Sequence, residues 1–180
     1  LAQVAIDFDV LKRLSEVARK EYGMAGAVQH GASTLPAAAF GKFVECGACE
    51  VHLATEFQNM MFDHSALPQD FKREMYAWLT ANCADERGPK DTDEQFYYKT
   101  RKKAFGPFKK EWWSLPLDAR GPMMEALQAK FEFLFQRLNG ADTYELAVSK
   151  TKKVEIHRPQ PSLSALTAKK EKEDTKGLAD

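Results

Sequence analysis

Two stretches decide how this chain is read: Ala27-Val28-Gln29-His30-Gly31-Ala32-Ser33-Thr34-Leu35-Pro36 and, further on, Cys49-Glu50-Val51-His52-Leu53-Ala54-Thr55-Glu56. Each opens on a short run suited to a buried strand and closes on small, hydroxyl-bearing residues suited to a tight turn. Pro36 is pre-set for the first turn of a helix, so Ala37 to Phe43 reads as a short helix between the two strands. Upstream, Asp7 or Asp9 can cap a helix carrying Leu11, Leu14, Val17 and Ala18 at helical spacing, and Gly23 can end it. Strands separated by helices, each ending in small polar residues, form the pattern of a parallel α/β sheet with its active site at the strand C-termini. Residues 1–60 supply two such units, whereas a complete eight-unit barrel takes about 250 residues.

From Leu67 onward the pattern is helical. Pro68 to Thr80 carries Phe71, Met75, Trp78 and Leu79; a polar linker follows from Ala84 to Glu94; Phe96 to Ala104 is the next helix, broken by Gly106-Pro107. Asp118 to Leu138 reads as a long helix with Met123, Met124, Leu127, Phe131, Leu134, Phe135 and Leu138 in a broad apolar stripe, stopped by Asn139-Gly140. Residues 149–180 lack aromatics and combine charge, Pro and Ser, the composition of a mobile tail or of an arm ordered on another subunit.

Composition narrows the function classes. The 180 residues carry 26 basic and 26 acidic side chains, which argues against a dedicated nucleic-acid or membrane-surface protein. Aromatic residues are plentiful, with 12 Phe, 5 Tyr and 3 Trp, enough for a packed core. No apolar run approaches the roughly 20 residues of a bilayer-spanning helix. Three cysteines, an odd number, suit a reducing compartment, and a cytoplasmic location is expected. The neutral total conceals a basic stretch between Phe96 and Trp113, where Lys99, Arg101, Lys102, Lys103, Lys109 and Lys110 face only Glu111. Interleaved with Phe105, Phe108, Trp112 and Trp113, these residues could hold RNA or simply form a solvated helix face over a core.

The two strand-end turns carry the most chemistry. His30 at a strand end can present a ring nitrogen to Zn²⁺, and the small residues after it let backbone N–H groups approach a phosphate. Strand-end histidines and small turn residues are also ordinary structural features. The second turn adds specificity, because Ser33 and Thr55 would stand side by side at adjacent strand ends, and barrel loops after the last two strands frequently bind phosphate. Three other candidates compete with bland readings: Cys46-Gly47-Ala48-Cys49 as a metal or redox pair or as structural thiols, Asp63-His64 as an acid–base pair or a helix cap, and His157 as a solvated residue of the tail.

Residues 27–36 and 52–58 resemble the seventh and eighth strands of the zinc-dependent class II fructose-bisphosphate aldolases, with their His-Gly-Gly-Ser-Gly-type and Asn-Ile-Ala-Thr-Glu/Asp-type turns. The resemblance covers residues 7–64 and extends less diagnostically to about Leu138. It implies the last two βα units of a (β/α)8 TIM barrel over residues 1–64, a C-terminal helical extension over 65–148 and a flexible charged tail over 149–180. It also implies a cytoplasmic, oligomeric glycolytic lyase that cleaves fructose 1,6-bisphosphate reversibly to dihydroxyacetone phosphate and glyceraldehyde 3-phosphate. His30 would be a zinc ligand, and Gly31, Ser33, Ala54 and Thr55 would contact a substrate phosphate. Two positions depart from the family: Ala32 replaces the second glycine, which requires a negative φ there, and His52 stands where the family has a substrate-contacting Asn. The family's other two zinc ligands and its proton-transferring carboxylate lie on earlier strands, so this chain is expected to need the remaining barrel segment for a complete active site. The tagatose 1,6-bisphosphate enzyme is the neighbouring specificity. A non-catalytic assembly subunit packing through residues 118–138 is the reading from another class, and an RNA-binding module is the third.

Overall fold

The computed structural model describes residues 6–156. Helix α1 (Phe8–Tyr22) starts where the Asp7 carboxylate accepts the N–H groups of Asp9 and Val10, at 3.1 and 3.0 Å. It ends at Gly23, whose φ of 63° is the left-handed conformation that glycine adopts without a Cβ penalty. The expected apolar stripe is split. Leu11 and Ser15 turn inward and are buried, while Val10, Leu14 and Val17 stay exposed on the adjoining face.

Strands β1 (Val28–Gln29) and β2 (Glu50–Val51) pair in parallel, Val28 opposite Glu50 and Gln29 opposite Val51. The ladder is prolonged by the N–H of Cys49 donating to the Ala27 carbonyl at 3.0 Å and that of His52 donating to Gln29 at 2.8 Å. The crossover between them runs through two 3₁₀ turns, Ala32–Thr34 and Ala37–Ala39, and helix α2 (Phe40–Glu45). Phe40 and Phe43 are fully buried there, with Leu11, Ala32, Cys46 and Leu134 around them. Burying two such rings contributes about 1.5–3 kcal/mol each.

Close backbone approach fixes how the chain passes from α1 into the pair. The buried Ser15 hydroxyl accepts the Ala27 N–H at 3.4 Å, and the Arg19 guanidinium donates to the Gly47 carbonyl. Gly26, at φ 147°, leaves room for this contact, because a Cβ there would lie 2.7 Å from the Gly47 oxygen.

The remaining helices are α3 (Thr55–Phe62), α4 (Gln69–Asn82), α5 (Asp93–Thr100), α6 (Lys109–Trp113), α7 (Leu117–Arg137) and α8 (Tyr144–Lys150). Phe62, Leu67, Met75, Leu79, Phe96, Phe108, Trp112 and Met123 form a second buried cluster. Helix α7 serves both cores: Met123 enters this cluster, and Leu134 enters the one beneath the strands. Farther along α7, Phe131 stacks on Phe57 at 4.8 Å between ring centroids, and Lys130 pairs with Glu56 at 2.7 Å. Not all of the expected stripe on α7 is buried, since Met124, Phe131 and Phe135 remain largely exposed.

The architecture is predominantly helical with two short parallel strands joined by a helical crossover. The strands are shorter than the runs Ala27–His30 and Cys49–Thr55 suggest, because Thr55 already begins α3. They are also less buried than expected: with only two strands in the sheet among the described residues, Val28, His30 and Glu50 remain at the surface. Compact units part between Ala141 and Asp142, so the strand pair and helices α1 to α7 belong to one unit, and α8 to the other. Residues 151–156 of the expected tail have no regular structure, and 157–180, including His157, lie outside the described residues.

Candidate functional site

His30, Gly31, Ser33, His52, Ala54 and Thr55 line one cavity of about 590 Å³, together with Val51 and Leu53. The parallel register explains the convergence. His30 follows Gln29 and His52 follows Val51, which are paired, so both strands deliver a histidine at the same level. The two imidazoles meet with centroids 4.4 Å apart and planes inclined by 49°.

The turns beyond the histidines are built by backbone requirements. Gly31 has φ 72°, in the left-handed region. Ala32 then enters the 3₁₀ turn, fully buried, without a positive φ, so the departure from a second glycine is accommodated. The Ser33 hydroxyl accepts the Ala54 N–H at 3.1 Å and thereby fastens the first turn to the second. Thr55 is the first residue of α3, and no side chain caps that helix. Its first-turn N–H groups and the positive end of its dipole lie beside the Ser33 and Thr55 hydroxyls, a setting that favours an anion.

The two histidines are electrostatically unequal. His52 Nε2 lies 2.8 Å from a Glu50 carboxylate oxygen, with both side chains more than half exposed, so the pair contributes little stability. The His30 ring has no such carboxylate partner among the described residues, leaving its nitrogens available. As a zinc site the donor set is incomplete. Among the described residues no three His, Cys, Asp or Glu side chains group together, whereas a catalytic zinc takes three protein ligands. His30 suits one of those positions only.

The competing candidates resolve into structural roles. Cys46 is buried and donates to the Phe8 carbonyl at 3.3 Å, while Cys49 faces the Ala27 carbonyl at 3.5 Å. Burial, aided by Glu45, pushes the Cys46 thiol up, the opposite of the lowered value a redox pair needs. Asp63 and His64 point to different partners: Asp63 to Arg101, and His64 Nδ1 to the Ala66 N–H at 3.1 Å. In the basic stretch, Lys99 pairs with Asp91, Arg101 with Asp63 and Lys103 with Glu86. Its rings Phe105, Phe108 and Trp112 pack into the second core, and Trp113 alone of the four is exposed.

Sequence reasoning missed the arrangement around Arg101. This guanidinium, only 5% exposed, grips both Asp63 oxygens at 2.7 and 3.0 Å and the Asn59 amide oxygen at 2.5 Å, between the rings of Phe62 and Tyr98. It anchors the C-terminal end of α3, the helix whose other end borders the cavity. No local signal marks Arg101 among its basic neighbours, because its partners lie about 40 residues upstream, 38 and 42 positions away. Compared with known proteins, the chain matches no family model, no curated protein and no solved structure.

Proposed function

We propose that this chain is the C-terminal portion of a class II ketose-bisphosphate aldolase, the lyase that reversibly cleaves fructose 1,6-bisphosphate to dihydroxyacetone phosphate and glyceraldehyde 3-phosphate. The observation that carries the reading is the convergence of two parallel strand ends on one cavity, each contributing a histidine and a hydroxyl-bearing turn. A sheet of only two strands among the described residues and the exposed face of α1 formed by Val10, Leu14 and Val17 suit a chain whose neighbouring βα units of a TIM barrel are supplied elsewhere.

In that reading Ser33 and Thr55 donate their hydroxyls to a substrate phosphate, with Gly31 and Ala54 shaping the backbone around it. The Ala54 N–H is already given to Ser33, so Ala54 acts by close approach. Fixing the phosphate holds the ketose in one orientation for the bond cleavage. His30 would be one protein ligand of a zinc ion completed by residues of the remaining barrel segment. When bound, such a zinc polarises the substrate ketone as a Lewis acid. His52, turned toward Glu50, would contact the ketose where the family pattern has Asn.

The test is steady-state cleavage of fructose 1,6-bisphosphate by the assembled enzyme. Ser33→Ala and Thr55→Ala should each weaken ketose-bisphosphate binding by roughly 1.5–3 kcal/mol, the range for hydrogen bonds to charged groups. Unchanged KM and kcat in both variants would place the phosphate elsewhere. Running tagatose 1,6-bisphosphate in parallel distinguishes the neighbouring specificity by kcat/KM. A non-catalytic assembly subunit is the second reading, favoured by the exposed rings of Phe131 and Phe135 on α7. It demands an assembly without chelator-sensitive aldolase activity that dissociates on Phe131→Ser/Phe135→Ser.

A further inference from the structure

A second cavity, about 810 Å³ in volume, lies where the 3₁₀ turn Arg101–Phe105, α6 and the first half of α7 meet. Its size falls within the roughly 300–1,000 Å³ of small-molecule sites, and such sites combine apolar walls with a few polar groups. Here Phe105, Trp112, Met123 and Leu127 supply apolar wall, and the cations Lys109 and Arg120 also line the space; no acidic side chain does.

Two observations point to the chemistry of the occupant. Unlike Lys99, Arg101 and Lys103, the cations Lys109 and Arg120 have no ion-pair partner among the described residues, although carboxylates are as numerous as cations in the chain. Lys109 moreover borders an adjoining depression of about 530 Å³ shared with Lys110, which extends the positive rim. A ligand matching these walls needs a long apolar body and an anionic, acceptor-only end. A neutral alkane would leave the donors unanswered, and a free inorganic anion would leave the aromatic and thioether walls unfilled.

We infer that this cavity binds a long-chain carboxylate, its alkyl chain lying against Phe105, Trp112, Met123 and Leu127 and its head held by Lys109 and Arg120. The inference is independent of the aldolase reading, because none of these residues borders the cavity at the strand ends. Trp112 and Trp113, which both line the space, provide the signal. Palmitate, hexadecanol and hexadecylamine are titrated below their micellar concentrations against tryptophan fluorescence, with calorimetry for stoichiometry. Saturable binding of one palmitate is expected, with the amine and the alcohol each weaker by roughly tenfold or more, since a charge-assisted hydrogen bond is lost or reversed. The double variant Lys109→Gln/Arg120→Gln should lose about the same factor for palmitate only. Leu127→Trp should block the chain; should that variant fail to fold by circular dichroism, the surface double variant decides alone. Equal binding of all three amphiphiles, indifference to the double variant or absence of saturation overturns the inference. So does a dimer in sedimentation that Leu127→Trp dissociates, which would assign the cavity to a second copy of the chain.

Discussion

His30 and His52 sit at the same level of a parallel pair, with centroids 4.4 Å apart, yet among the described residues only His52 has a carboxylate, Glu50, against its ring. That asymmetry sorts their roles in a way turnover can read. On the proposed aldolase reading, His30→Ala should abolish zinc retention and activity of the assembled enzyme, because a catalytic zinc losing one of three ligands loses affinity and geometry together. His52→Asn should keep both. Zinc content measured beside turnover decides; zinc lost from His52→Asn and kept in His30→Ala would exchange the ligand assignment. Backbone geometry sets a second expectation at this scale. Gly26→Ala puts a methyl 2.7 Å from the Gly47 oxygen at a φ of 147°, and should cost roughly 1–3 kcal/mol. Gly23→Ala, where φ is 63° and no atom lies within 4 Å of the new methyl, should cost only about 1 kcal/mol by chemical denaturation. Equal losses in the two variants would mean that the contact between α1 and the Gly47 loop is not the constraint.

At the scale of elements, the start of α5 illustrates how local charge becomes pH dependence. Thr92 and Gln95 form a reciprocal capping box, and Asp91 just before it receives both a bidentate contact from Lys99 at 2.8 Å and the Gly88 N–H at 2.9 Å. The Lys99 hydrogen bond, seconded by Gly88, holds the Asp91 carboxyl below the usual carboxylate range. A carboxyl depressed in the folded state contributes stability that is present above its unfolded value and lost as pH falls through the folded one. Urea midpoints for the wild type and Asp91→Asn should therefore differ at neutral pH and converge as the pH falls below the ordinary aspartate value of about 4. A gap that persists unchanged through that fall would remove Asp91 from the account. Elements of this kind were the legible ones, because their signals are local: Asp7 and Gly23 bound α1, Pro68 precedes α4, and Asn139 takes the left-handed φ of 55° just after α7. The box at Thr92 starts α5 at Asp93, ahead of the apolar residues from Phe96 that betray it in sequence. Helix α3 was illegible, since Leu53 to Thr55 continue the alternation of β2 and only the chain's departure from the sheet turns Thr55 into a helix start. The cavity residues could be grouped from two turn motifs and a parallel register; Arg101 could not, because burial against distant partners selects it from a run of look-alike cations.

For the whole molecule, α7 determines whether the two cores behave as one. Met123 belongs to the cluster of Phe62 and Trp112, and Leu134 to that of Phe40 and Phe43. Truncating Leu134→Ala should destabilise by roughly 2–4 kcal/mol, the usual range for a buried leucine. The probes lie in the other cluster, since Trp112 is buried in it and Trp78 packs against it. A lowered unfolding midpoint seen by tryptophan fluorescence would thus demonstrate coupling through the helix, while an unshifted tryptophan transition would mean that the cores melt apart. Exposed Phe135→Ser, by contrast, should leave the midpoint within about 0.5 kcal/mol.

The Lys130–Glu56 pair joins α7 to the helix behind the strand-end cavity across 74 positions of sequence. During synthesis at about 5–20 residues per second, the segment bearing His30 and His52 therefore emerges several seconds before the helix that covers its core. Over that interval Phe40 and Phe57 lack the α7 side chains that complete their packing, and the nascent chain, with its strand edges bare, is a target for holding chaperones and for pairing with its neighbours on the same polysome.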